Sequence, residues 1–157
     1  MKWILIIILI VIIMLIANSV SEQYKEKLDF YNNLKNFLYQ FKLNLNFKQE
    51  KIIDFLDKTN GKKQFNQFIN AYKKYLSTNK FLLDEIKILD TEEKKQLTDI
   101  VISIGKMDAK NESKQIELFL IDVETKQKSA ENDKNKLCPM ILKLSLLFAI
   151  GVAILLI

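Results

Sequence analysis

Apolar residues run almost unbroken at both ends of the chain and recur at helical spacing in between. Trp3 to Val20 holds no ionisable residue, and as a helix rising about 1.5 Å per residue it matches a hydrocarbon core about 30 Å thick. Met140 to Ile157 is similar in length and is interrupted only by Lys143, one turn inside, where a long side chain can snorkel to the interface. On an insertion scale the Ile, Leu, Val and Phe residues of each segment supply roughly −4 to −7 kcal/mol, against about +3 for a central lysine. Both segments are therefore predicted to span a membrane. Two spans leave both termini on one face and the intervening chain on the other.

Between the spans the apolar period is helical throughout. Tyr24, Tyr31, Leu34, Leu38, Phe41 and Leu45 form one stripe, predicted to run on from the first span and to break around Leu43 to Lys48, where Asn44 and Asn46 weaken the helix. Ile52, Ile53 and Leu56 predict a short helix, closed by a left-handed cap at Asn60-Gly61. Phe65, Phe68, Ile69, Tyr72, Tyr75 and Leu76 make the strongest pattern; a turn at Ser77 to Asn79 then precedes a short helix carrying Leu82, Leu83, Ile86 and Leu89. Asp90 with Glu93 three residues on reads as a capping box for a helix that turns Leu97, Ile100, Val101 and Ile104 inward and stops at Gly105.

Asp108 is predicted to cap the last helix, whose stripe is Ile116, Phe119, Leu120 and Val123. Its polar continuation, Thr125 to Lys136, leads to Pro139, which should kink or briefly interrupt it. No strand is required. The predicted fold is all-α: a transmembrane segment over 1–20, a bundle of about five to six helices over 21–138, and a second transmembrane segment over 139–157.

Charge orients this arrangement. The middle segment carries 22 of the 24 lysines and all 19 acidic residues, a surplus of three positive charges. Lysines crowd its two membrane-proximal ends (Lys25, Lys27, Lys35; Lys126, Lys128, Lys134, Lys136), whereas only Lys2 precedes the first span. The positive-inside rule then puts the middle domain in the cytosol and both termini outside. A second reading stays open: Lys2, the apolar run to Ile16 and Ala17-Asn18-Ser19 also fit a cleaved signal peptide, leaving an extracytoplasmic, tail-anchored helical interaction module.

The surplus is mild, interleaved with acid and made without arginine, which suits a surface near anionic lipid and not nucleic acid. There is no histidine and one cysteine, Cys138, so the commonest general base and metal ligand are missing and no intramolecular disulfide can form. Gly61-Lys62 and Gly105-Lys106 lack the other residues of a phosphate loop. Adjacent carboxylates such as Asp84-Glu85 point about 100° apart on a helix and do not converge. No catalytic residue, metal site or cofactor is expected, and the aromatic stripe reads as core packing.

From Gly105 onward the order of residues resembles the stage III sporulation protein AB family. The likeness rests on Ile104-Gly105-x-x-Asp108, then Ile116, Leu120, Val123-Glu124 and Ala130, then a lysine-bearing approach to a terminal span ending Ile154-Leu155-Leu156-Ile157. The first span and its lysine-rich exit fit as well. The resemblance implies a two-pass protein of the mother-cell membrane facing the forespore, with a cytosolic helical domain similar to those of the platform protein of type II secretion and type IV pilus machines. It implies scaffolding within a multi-subunit complex, a secretion-type ATPase and sister subunits as partners, membrane lipid around the spans, and room for a homo-oligomer. Gly105 and Asp108 would form the turn that sets the angle between the last two helices. The chain departs from the family at Leu45-Asn46-Phe47-Lys48, which has no proline, and at Leu144 to Phe148, which has no glycine.

Overall fold

The computed structural model describes residues 2–48, 50–104, 106 and 108–156. They form α1 (Lys2–Leu43), a π-helical turn (Asn44–Lys48), α2 (Ile52–Lys58), α3 (Lys63–Thr78), α4 (Thr91–Ser103) and α5 (Ala109–Leu156), and no strand occurs among them. The expected all-α class is what is found. The five helices divide into two units: one takes the chain up to Leu28 and from Ser129 onward, the other is Asp29–Lys128.

The first unit is made of the apolar ends of α1 and α5, with mean hydropathy 2.2 and 2.3. Each is long and apolar enough to cross a membrane, and only 17% of each apolar window is covered by the rest of the chain, unlike the core helix of a water-soluble protein. Ala17 and Ser21, one turn apart, are buried with Ala130 and Ala149, and the Cys138 thiol donates to the Ser21 carbonyl at 3.5 Å. Close approach therefore uses small side chains, as membrane helices favour, at Ala17-x-x-x-Ser21. Gly151 plays no such part, having nothing within 4 Å of where a Cβ would stand. The expected interruption at Pro139 is absent, since α5 runs through it. Proline removes one amide donor and crowds one carbonyl, and the turns on either side keep theirs.

The second unit is organised by aromatic rings. Phe68 on α3 meets Phe30, Phe37, Phe65, Tyr72 and Phe81 with ring centroids between 5.8 and 6.3 Å apart. Phe37 and Phe41 stack at 5.9 Å, and both contact Phe55 on α2 at 5.5 Å. The predicted stripe of α1 is buried at Tyr31, Leu34, Leu38 and Phe41, but Phe30 and Phe37 are buried too. A stripe this wide means that α1 is covered on two sides. Rings of α3 lie on one, and α5 is joined to another through Lys35 and Glu124, 3.0 Å apart.

Four local expectations resolve differently. The helix does not break at Leu43; it widens into the π turn, where the buried Asn44 carboxamide donates to the Glu50 carbonyl at 3.2 Å and accepts from its N–H at 3.1 Å, satisfying the backbone where the helix lets go. Asn60-Gly61 is not a left-handed cap: α2 stops on Thr59 in extended conformation, and the left-handed residue is Asn79 (φ 54), which closes α3 with its N–H on the Tyr75 carbonyl at 2.8 Å. Leu82 to Leu89 form no helix. A stretch between that left-handed residue and the Asp90 cap is too short to repay helix nucleation, and turns bury Leu83, Ile86 and Leu89 instead. Gly105, the expected end of α4, lies outside the described residues, and the last helical position described is Ser103.

Gly61 is needed for space. A Cβ there would stand 2.4 Å from Cδ1 of Phe65 and 3.2 Å from the Asn33 carboxamide. Phe65 is held by Phe30, Phe37 and Phe68 and has nowhere to turn. Gly61→Ala is expected to lower stability by about 1–3 kcal/mol through overpacking, while Gly151→Ala, facing open space, should not lower it. Thermal unfolding of the two variants in the same detergent checks the contrast; equal midpoints would refute the steric argument.

Candidate functional site

The densest polar arrangement in the Asp29–Lys128 unit is the seam where α1 and α5 run antiparallel. Asn46 donates to Ser113 at 3.3 Å, Lys42 pairs with Glu117 at 3.1 Å, Lys35 pairs with Glu124 at 3.0 Å, and Gln127 donates to Asn32 at 2.6 Å. Each step forward on α1 is matched by an equal step back on α5, so these pairs define one unslipped register. The Tyr39 hydroxyl adds a donor to Glu124 at 3.1 Å. Hydrogen bonds from Lys35 first and Tyr39 second hold the Glu124 carboxyl below the usual carboxylate range. The seam is basic along α1 and acidic along α5.

The residues singled out from the sequence are spread along this helix and not gathered at one point. Asp108 is exposed immediately before α5, its carbonyl accepting the Glu112 N–H at 3.0 Å. Ile116 and Leu120 are buried core residues, with Val123 beside them on the same face. Glu124 lies in the seam, and Gly105 is outside the described residues. The seam partners Lys35, Tyr39, Lys42, Asn46, Ser113 and Gln127 were not singled out. Their signal was available as polar positions three or four apart flanking the apolar stripe of each helix.

A second polar link joins α1 to α4. The capping box is present as expected: the Glu93 N–H donates to Asp90 at 2.8 Å and the Asp90 N–H to Glu93 Oε2 at 2.9 Å. The other oxygen of Glu93 accepts the buried Tyr31 hydroxyl at 2.7 Å. Burial, and then this bond to a carboxylate, push the Tyr31 phenol far above its ordinary pKa. Tyr72 is displaced upward as well, by burial and then by Glu112, and its hydroxyl has no partner within the protein. Both phenols are thus neutral structural groups over the whole range in which the fold operates.

Two clefts of the same unit complete its chemistry. One, of about 370 Å3, lies under Asn33, Asn36, Gln40 and Asn60 with Phe37 and Phe55 among its walls; the other, of about 230 Å3, surrounds Tyr72 and Glu112. Among the described residues no group of three or more His, Cys, Asp or Glu side chains could hold a metal. Such walls can accept water or a polar segment of another chain.

A family model described as stage III sporulation protein AB matches residues 2–157. No curated protein and no solved structure matches the chain.

Proposed function

The chain belongs to the stage III sporulation protein AB family, and on that footing we propose that it is a non-catalytic membrane subunit of the secretion-like channel complex between mother cell and forespore. Its helical unit docks a secretion-type ATPase and sister subunits in the mother-cell cytosol. The observation that carries this reading is the family match along the whole chain, whose two apolar helix ends flank a helical unit held by a lysine–glutamate seam. Lysines next to both apolar segments support a cytosolic helical unit. A rigid all-α body without a convergent set of reactive groups suits a role in assembly and not turnover.

Affinity purification of the tagged full-length protein from sporulating cells tests it. Sister subunits of the complex and its ATPase are expected in the eluate. Recovery of the membrane protein with neither would overturn the proposal.

A further inference from the structure

Large apolar side chains that face solvent in the Asp29–Lys128 unit are concentrated on one side. Tyr39, Leu43 and Phe47 (79% exposed) follow one another at single-turn spacing along α1 and the π turn, and Leu118 (63%) and Ile121 (60%) do so on α5. The seam pairs put these two stripes side by side: with Lys42 opposite Glu117 and Lys35 opposite Glu124, Leu118 and Ile121 lie at the height of Tyr39 and Leu43. The face is therefore a two-helix surface, apolar on both helices, with lysine along the α1 edge and glutamate along the α5 edge. Lys114 and Lys128, both exposed on α5, stand beyond its two ends.

We propose that a second copy of this chain covers this face, so that α1 and α5 of the two copies complete a four-helix bundle. The charge pattern selects that occupant. A two-fold axis parallel to the helices lays α1 of one copy against α5 of the other and leaves every residue at its own height. Lys42 then meets Glu117 of the second copy as well as its own, and Lys35 likewise meets Glu124. Leu118 of the second copy enters the gap between Tyr39 and Leu43, one turn apart, as a side chain of one helix fills the hole on its neighbour. Every neighbouring pair in the bundle is antiparallel. A partner with a uniformly acidic or basic surface would satisfy only one of the two edges.

The test uses full-length protein in its membrane, with Cys138→Ser in every version and two epitope tags. One version carries Leu43→Cys and the other Leu118→Cys, so a disulfide joining both tags can form only between copies. Mild oxidation should yield the mixed-tag dimer, and Leu82→Cys in place of Leu43→Cys should not. The double exchange Lys42→Glu with Glu117→Lys, made in one version alone, keeps the pair within that chain but sets like charges against each other between copies. Cross-linking should then fall about tenfold and return when both versions carry the exchange. A Leu43–Leu118 yield no greater than the Leu82 control would overturn the proposal. So would indifference to the one-sided exchange, or failure of the two-sided exchange to restore the dimer.

Discussion

Replacing Phe68 with alanine is expected to lower the stability of the Asp29–Lys128 unit by about 3–5 kcal/mol, a large share of the roughly 5–15 kcal/mol that a domain usually has. The ring is 1% exposed and touches five other aromatic rings contributed by α1, α3 and the turn segment after it. Its loss removes apolar area and leaves a hole that rigid neighbours cannot close, because each is itself pinned by another ring. Leu76→Ala on the same helix, where the side chain is already 40% exposed, should cost much less. The chain's one tryptophan, Trp3, is outside this unit and does not report on it. Amide hydrogen exchange of α3 and α4 in the full-length protein is the suitable measurement. A loss at Phe68→Ala below about 1 kcal/mol, or equal to that at Leu76→Ala, would mean that the aromatic cluster is not the core described above.

Glu93→Ala should produce the second largest effect, about 2–4 kcal/mol. Two separable costs combine: removal of half a capping box, about 1 kcal/mol, and a buried phenol left without its acceptor, about 1–3 kcal/mol. Both arise because one carboxylate serves Asp90 with one oxygen and Tyr31 with the other. Tyr31→Phe added to Glu93→Ala should recover the second cost, since the apolar ring then needs no acceptor, while Asp90→Ala added to it should do little further harm. A double-mutant cycle in the same exchange experiment resolves the pair. No recovery with Tyr31→Phe would show that the hydroxyl is not bound to Glu93 in the folded protein.

These two sites differ in how plainly they are written in the chain. Phe65, Phe68, Ile69 and Tyr72 repeat at helical spacing and are all buried on α3, and Asp90 and Glu93 form the box that their spacing announced. Phe30 and Phe37 lie off the 3.5-residue stripe of α1 and are buried all the same, because that helix has neighbours on two sides. The helix expected at Leu82 to Leu89 failed for a related reason. Its leucines and isoleucine are three or so apart in either case, and a run of turns buries them as well as a helix would. The second role of Glu93 had no local sign, since Tyr31 is 62 residues away.

What the linear order of residues determined by itself was everything governed by local spacing and composition. That covers two apolar segments long enough for a bilayer, the helical period between them, the cap at Asp90, and a lack of histidine that no folding can remedy. What only the tertiary structure decided was which faces meet. The lysine–glutamate seam between α1 and α5, the space that Gly61 must leave for Phe65, and the apolar stripe of Tyr39, Leu43, Leu118 and Ile121 left outside that seam all belong to this class. The physical reason is range. Helical period and capping are settled by groups three or four residues apart, whereas burial and ion pairing depend on groups some eighty or ninety residues away along the chain, whose proximity exists only once the helices have packed.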